Sequence, residues 1–299
     1  MESKDRLKLK IDKDFKRADG FLKREGFSHT LMKRSFRGGL VKRNEEVLFR
    51  TSPLKSGEEI TVDFEEETSG LLPSPFRQKI LYEDEDLLVI EKGVIPSMPC
   101  KMYPEGTLAN EIAGYFETIG LKRKVRMLGR LDKETTGVLI VCKNPYAYLK
   151  LVDYHTESKT YVALVRGEVT EGGIIDAPMG PGDKSLVRVV REDGQRAVTR
   201  YAPIKSGENS LIELKLETGR CHQIRCHMAH IDHPIVGDEL YGGGKGKVHL
   251  HVKSIKIIHP RNGKAMVFRS RLPENFLVSI NEMPRFYRNN LYKKSHIIK

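Results

Sequence analysis

Residues 129 to 143 read Gly-Arg-Leu-Asp-Lys-Glu-Thr-Thr-Gly-Val-Leu-Ile-Val-Cys-Lys, a polar turn that runs straight into an apolar stretch. The stretch from Gly137 to Cys142 is short and rich in β-branched residues, which predicts a buried strand rather than a helix. An acid carried on a turn next to such a strand is held by core structure, and loops mounted on a rigid scaffold are where folds place reactive groups. Asp132 is therefore the candidate reactive carboxylate. Standing alone, an Arg-x-Asp in a turn is more often a solvated pair or a cap.

A chain of 299 residues suggests two domains and can bury a proper interior. Its 52 Lys and Arg against 40 Asp and Glu give a net charge of +12, which points to a polyanionic partner, nucleic acid ahead of membrane. No stretch reaches the apolar length of a transmembrane helix, and Met1 to Lys10 alternates charges without a signal region. A cytoplasmic location is expected. Four cysteines in so long a chain are no disulfide framework, so reduced thiols are expected.

Residues 1 to 50 hold 15 Lys and Arg against 8 Asp and Glu. Here Asp19 can cap a turn through Phe21 and Leu22, and Ser28 can cap a helix carrying Leu31, Met32, Lys33, Arg34 and Arg37. A strand run to Phe49 and the alternation of Ile60, Val62 and Phe64 follow. The acidic, turn-forming stretch 66–75 reads as a linker between a first domain, 1–65, and a second, 76–283, with a basic tail at 284–299. In the second domain the first strand is expected at Leu87 to Glu91. Thr107 can cap a helix through Leu108, Ile112 and Phe116, and Asn144 with Pro145 opens a helix through Val152. Leu211 to Leu216 reads as a half-buried strand. Strands outnumber helices without βαβ alternation, so the fold class is α+β with a mixed, mainly antiparallel sheet.

Three ordered blocks carry a resemblance. The first is Arg130, Leu131, Asp132, Thr135, Thr136 and Gly137. The second is Lys159, Thr160, Tyr161, Ala163, Val165 and Gly167. The third runs from Leu216 through Thr218, Gly219, Arg220, His222, Gln223, Ile224, Arg225 and His227 to His233, Pro234, Ile235, Gly237, Asp238 and Tyr241. Together they resemble the RluA-type pseudouridine synthases. The resemblance implies a sheet with the site in a central cleft. Residues 1–65 similarly resemble a small α/β S4 RNA-binding module, which would set Lys33, Arg34, Arg37, Lys42 and Arg43 against phosphates. The module's usual Asn-Gly turn is Asn44-Glu45 here.

The implied reaction breaks the bond from uridine N1 to C1′, turns the uracil and rejoins it through C5. It is redox-neutral and calls for no metal and no cofactor, only an ionised carboxylate, a shielded slot and extraction of the base from RNA. By resemblance Asp132 is the carboxylate, as nucleophile or as base in an elimination, and Arg225 is its basic partner. Tyr161 stacks on the uracil and can move a proton, Ile224 helps wall the slot, and Arg130 fills the gap left by the flipped base. The expected partner is RNA, ribosomal RNA first because relatives bearing the S4 module mostly modify it. A monomer is expected. A transfer-RNA-directed synthase, or a noncatalytic RNA-binding or ribosome-assembly factor retaining the fold, is the alternative.

The cluster Cys221, His222, Cys226, His227, His230 and His233 suggests zinc. Four ligands within seven residues cannot readily converge on one ion, and the third block explains His222 and His227 without metal. Two positions depart from the family pattern. Gly129 stands where relatives commonly carry His, and Lys92-Gly93 with Met98-Pro99-Cys100 replaces a Lys-Pro followed by His-Pro.

Overall fold

The structure is a computed structural model that describes residues 6–153, 159–183, 187–274 and 276. The basic tail expected at 284–299 lies outside the described residues.

Alternation of Leu7 and Leu9 on β1 (Arg6–Lys10) puts every second side chain inward. After α1 (Ala18–Arg24), α2 (His29–Arg37), β2 (Val41–Arg43) and β3 (Glu46–Val47), the strand β4 (Glu59–Asp63) repeats that pattern with Ile60 and Val62. These strands form one sheet in the order β1-β4-β2-β3, and Phe21, Leu22, Leu31, Met32 and Leu54 close a core over it. The Ser28 hydroxyl accepts the N–H of Leu31 at 3.2 Å and caps α2 as expected. Asp19 is not a cap. It lies inside the first turn of α1, whose N-terminal flank is Arg17. Asn44 and Glu45 take φ of 51° and 66° at the tight two-residue turn between β2 and β3, a geometry that Asn-Gly commonly serves.

The second sheet begins with β5 (Lys79–Glu83), an edge strand ahead of the one expected first. Its Lys-Ile-Leu-Tyr-Glu has no clean alternation because much of it faces solvent. Then come β6 (Leu87–Lys92), α3 (Leu108–Thr118), β7 (Arg126–Met127), β8 (Thr136–Cys142), α4 (Pro145–Leu151) and β9 (Lys159–Arg166). The chain continues through β10 (Gly173–Asp176), β11 (Met179–Pro181), β12 (Arg188–Val190), β13 (Val198–Lys205) and β14 (Asn209–Leu216). It ends in α5 (Gln223–His230), β15 (Leu250–Ile258) and β16 (Ala265–Arg269). The main sheet runs β10-β13-β14-β9-β15-β8-β6-β5, with β7 on β8 and β16 on β15. All its pairs are antiparallel except β8 with β15. The α+β class with a mixed, mainly antiparallel sheet is thus the fold.

Strand β8 is buried from Gly137 to Cys142, as its composition demands. It enters the sheet beside β15 at Gly137, where φ is 111° and an added Cβ would lie 2.3 Å from the Val252 carbonyl oxygen. Only glycine permits that approach. Asn144 accepts the N–H of Ala147 at 2.8 Å and starts α4, whose Tyr146 crosses into the N-terminal core against Phe27. Residues 66–75 contain no regular element but are tied down. Glu67 meets Arg126 at 2.6 Å, and the Asn110 amide donates to the Leu72 carbonyl at 2.8 Å.

Candidate active site

The turn that carries Asp132 is built from below. Leu131 is buried and its carbonyl accepts the Ser97 hydroxyl at 2.6 Å, while the N–H of Thr135 closes the turn on the Asp132 carbonyl at 3.1 Å. Beneath it Lys92, 1% exposed, donates to the carbonyls of Asp132 at 3.0 Å, Lys133 at 3.1 Å, Thr135 at 2.8 Å and its neighbour Gly93 at 3.0 Å. Burial pushes this lysine down to about 7, against the pull of the Asp132 and Glu134 charges. The Asp132 side chain itself remains 28% exposed.

Two further elements meet at this carboxylate. Tyr161 points from the middle of β9 and is buried, and burial followed by the nearby Asp132 charge pushes its phenol upward, so it stays protonated. Arg225 sits in the first turn of α5 with its guanidinium 3.9 Å from Asp132 Oδ2. It is no surface residue. Both Nε and a terminal nitrogen fork onto buried Asp238 at 2.6 and 2.7 Å, and its plane lies 5.1 Å over the Tyr241 ring. Burial works against its charge, and the Asp238 carboxylate more than offsets this, so its pKa rises.

Arg130, Asp132, Tyr161, Ile224 and Arg225, singled out from the sequence, all line one cavity of about 60 Å³, joined by Leu131, Thr135, Leu216, Arg220, His222, Gln223 and Leu250. A wider cavity of about 450 Å³ adjoins it, shares Arg220, and adds Arg188 and Arg191. Sequence reasoning gave no catalytic role to Lys92, His222, Asp238 or Tyr241. The last three belong to the third block, so the signal was present, but nothing in the spacing says that residue 238 returns to residue 225. Lys92 figures there only as the lysine of Lys92-Gly93, where the departure from the family's Lys-Pro lies at Gly93.

The zinc cluster does not assemble. His227 binds the Thr199 hydroxyl and the Ala177 carbonyl, Cys226 packs on Met179 and Ala197, and His233 donates to the Arg166 carbonyl. What comes together instead is Cys221, His222 and Asp132, with ligand atoms within 4.8 Å of one another. A thiophilic cation bound there would occupy the carboxylate.

Of the five basic residues assigned to phosphate contact, three have internal partners. Arg34 pairs with Glu65 at 2.7 Å, Lys42 with Asp63 at 3.2 Å, and Arg43 with Glu58 at 3.0 Å. Lys33 and Arg37 are exposed and enter no ion pair among the described residues.

Comparison with known proteins identifies the class. A family model described as RNA pseudouridylate synthase matches residues 98–230. The chain is 37% identical over 252 residues to the uncharacterized RNA pseudouridine synthase YjbO of Bacillus subtilis, covering 80% of this chain and 89% of that one. It is 35% identical over 247 residues to the ribosomal large subunit pseudouridine synthase D of Pseudomonas aeruginosa, covering 74% and 77% respectively. In fold it is similar to human RNA Pseudouridylate Synthase Domain Containing 1, with a TM-score of 0.56 at 22% identity over 74% of this chain and 97% of that one. The chain belongs to the RNA pseudouridine synthases of the RluA type. It is an isomerase acting on RNA, as its motifs implied.

Proposed function

We propose that this synthase converts uridine to pseudouridine in large-subunit ribosomal RNA, with Asp132 as the reactive carboxylate and without metal or cofactor. The convergence of Arg130, Asp132, Tyr161, Ile224 and Arg225 on one cavity carries the reading, because these side chains come from three separate segments. Asp132 engages the ribose or takes a proton as the glycosidic bond breaks. Arg225, 3.9 Å away, compensates its charge and orients it, and the protonated Tyr161 with Ile224 holds the uracil while it turns from N1 to C5. The cavity, about 60 Å³, opens to solvent at a mouth lined by Arg130. Arg130, exposed at that mouth, moves aside and takes the place of the flipped base in the RNA.

The Pseudomonas relative's name supports ribosomal RNA. The N-terminal unit is taken as the S4-like module, with Lys33 and Arg37 as its phosphate contacts and Arg188 and Arg220 of the adjoining cavity extending the basic track. The enzyme is expected to act as a monomer in the cytoplasm. The test is pseudouridine mapping by carbodiimide-dependent primer-extension stops in ribosomal and transfer RNA, from cells lacking the protein and cells rescued with wild type or Asp132→Asn. A ribosomal stop that is lost and returns only with wild type supports the reading. A stop that behaves so in transfer RNA alone moves the enzyme to that substrate, and an unchanged map contradicts the proposal.

A further inference from the structure

Among the polar side chains of the cavity, His222 has no part in the chemistry just described. Yet its backbone is held at φ 56°, a left-handed conformation that costs a residue with a Cβ and that concentrates at functional sites. The residue stands immediately before α5, and this conformation presents its ring to the cavity, where Nε2 lies 3.9 Å from Asp132 Oδ2. On the opposite side Nδ1 lies 3.1 Å from the phenolic oxygen of Tyr241, with the two rings edge-on.

That second contact favours one tautomer. The Tyr241 oxygen accepts the backbone N–H of Arg188 at 2.9 Å, and its own hydrogen is free to be donated to Nδ1. A neutral histidine that accepts at Nδ1 carries its proton on Nε2. Burial first, and then Arg225 and Arg188, lower the imidazole's pKa against the opposing pull of Asp132 and Asp238, so the ring is neutral. With that tautomer, the relay Arg188 N–H to Tyr241 to His222 ends in an N–H facing the carboxylate.

We propose that His222 is a positioning residue for Asp132, and that Tyr241 is the residue that sets its tautomer. The proposal rests on Asp132 being the reactive carboxylate. A gap of 3.9 Å is longer than a hydrogen bond, and bonds of this kind tighten when substrate fills the site. Arg225 stands at the same 3.9 Å from the same oxygen and stacks on the same tyrosine, so Tyr241 fixes both donors at once. The two are not redundant. Arg225 supplies a positive charge beside Asp132, while a neutral N–H orients the carboxylate without a second positive charge that would blunt its reactivity.

The experiment uses the full chain and Tyr241→Phe, which deletes the hydroxyl and keeps the ring beneath Arg225. In protein labelled with ¹⁵N-histidine, His222→Asn assigns the relevant imidazole among the ten, Asn being a residue that tolerates the left-handed backbone. In wild type, Nδ1 is expected bare and Nε2 protonated. In Tyr241→Phe the two tautomers are expected to mix. The single-turnover rate at saturating RNA should then fall about tenfold, the upper end of what one hydrogen bond contributes, with RNA affinity held within about twofold. A wild-type His222 protonated on Nδ1, or a Tyr241→Phe enzyme with mixed tautomers and undiminished single-turnover rate, overturns the proposal. Asp132→Asn run alongside separates the failures. If it still turns over, the assignment of Asp132 falls, whatever the tautomer of His222.

Discussion

Asp238→Asn is the substitution whose effect follows most closely from the geometry. The carboxylate grips Arg225 through two bonds of 2.6 and 2.7 Å, and the two side chains are 1% and 8% exposed. Asparagine keeps the shape and one acceptor oxygen but turns a second oxygen into an NH₂ that faces a guanidinium N–H, donor against donor. Removing one charge of a buried pair costs about 3–5 kcal/mol, and the surviving hydrogen bond returns about 1 kcal/mol, so the expected loss of stability is about 2–4 kcal/mol. Arg225 also loses its anchor and shifts relative to Asp132, now 3.9 Å away. Displacements near 1 Å in a catalytic group can cost on the order of 100-fold, so the single-turnover rate should drop at least tenfold. RNA affinity should hold, because Asp238 is buried beyond reach of the substrate. Urea unfolding and release of tritium from RNA carrying 5-³H-uridine, whose C5 hydrogen is expelled as the new bond forms, measure the two effects. An asparagine variant with wild-type stability and wild-type rate would refute the claim that Asp238 holds Arg225 in place.

Other consequences follow from the same contacts. Burial holds Lys92 near 7 when folded against 10.5 when unfolded, so between those values the unfolded chain binds more protons and stability rises with pH. The unfolding free energy of wild type minus Lys92→Met should therefore grow from pH 7 toward pH 10, and a flat difference would reject it. Lys92→Met should also slow turnover, because the carbonyls of the Asp132 turn lose their common donor. Gly137→Ala forces a Cβ to 2.3 Å from the Val252 oxygen at φ 111° and should cost about 3 kcal/mol or more. That is a fall in Tm on the order of 8 °C, and an unchanged melting curve would contradict it. Lys33→Glu with Arg37→Glu should weaken RNA binding and flatten its logarithmic salt dependence by about 1.5, each phosphate contact contributing roughly 0.7–0.9. An unaltered slope would remove these two residues from the interface.

How far the site was legible depended on whether its parts act along the chain or across it. The strand after Asp132 was readable because a buried strand needs unbroken apolar, β-branched sequence, and Val138 to Val141 supply it. The caps Ser28 and Asn144 were readable because a cap and its helix are adjacent in sequence. Strand β5 was missed because an edge strand facing solvent carries little periodic signal. The pairing of Arg225 with Asp238 and the seating of Lys92 under the Asp132 turn join residues far apart in sequence, and only the folded sheet brings them together. Arg34, Lys42 and Arg43 illustrate the converse, since basic residues in a run look alike until their carboxylate partners are placed.

The most direct test of the central claim is tritium release from 5-³H-uridine ribosomal RNA by purified wild type and Asp132→Asn, with RNA affinity measured on the same preparations. Stoichiometric release by wild type, none by the Asn variant, and affinities within a few-fold of each other are expected if Asp132 is the reactive carboxylate. Release by both proteins, or loss of binding together with loss of release, would contradict it.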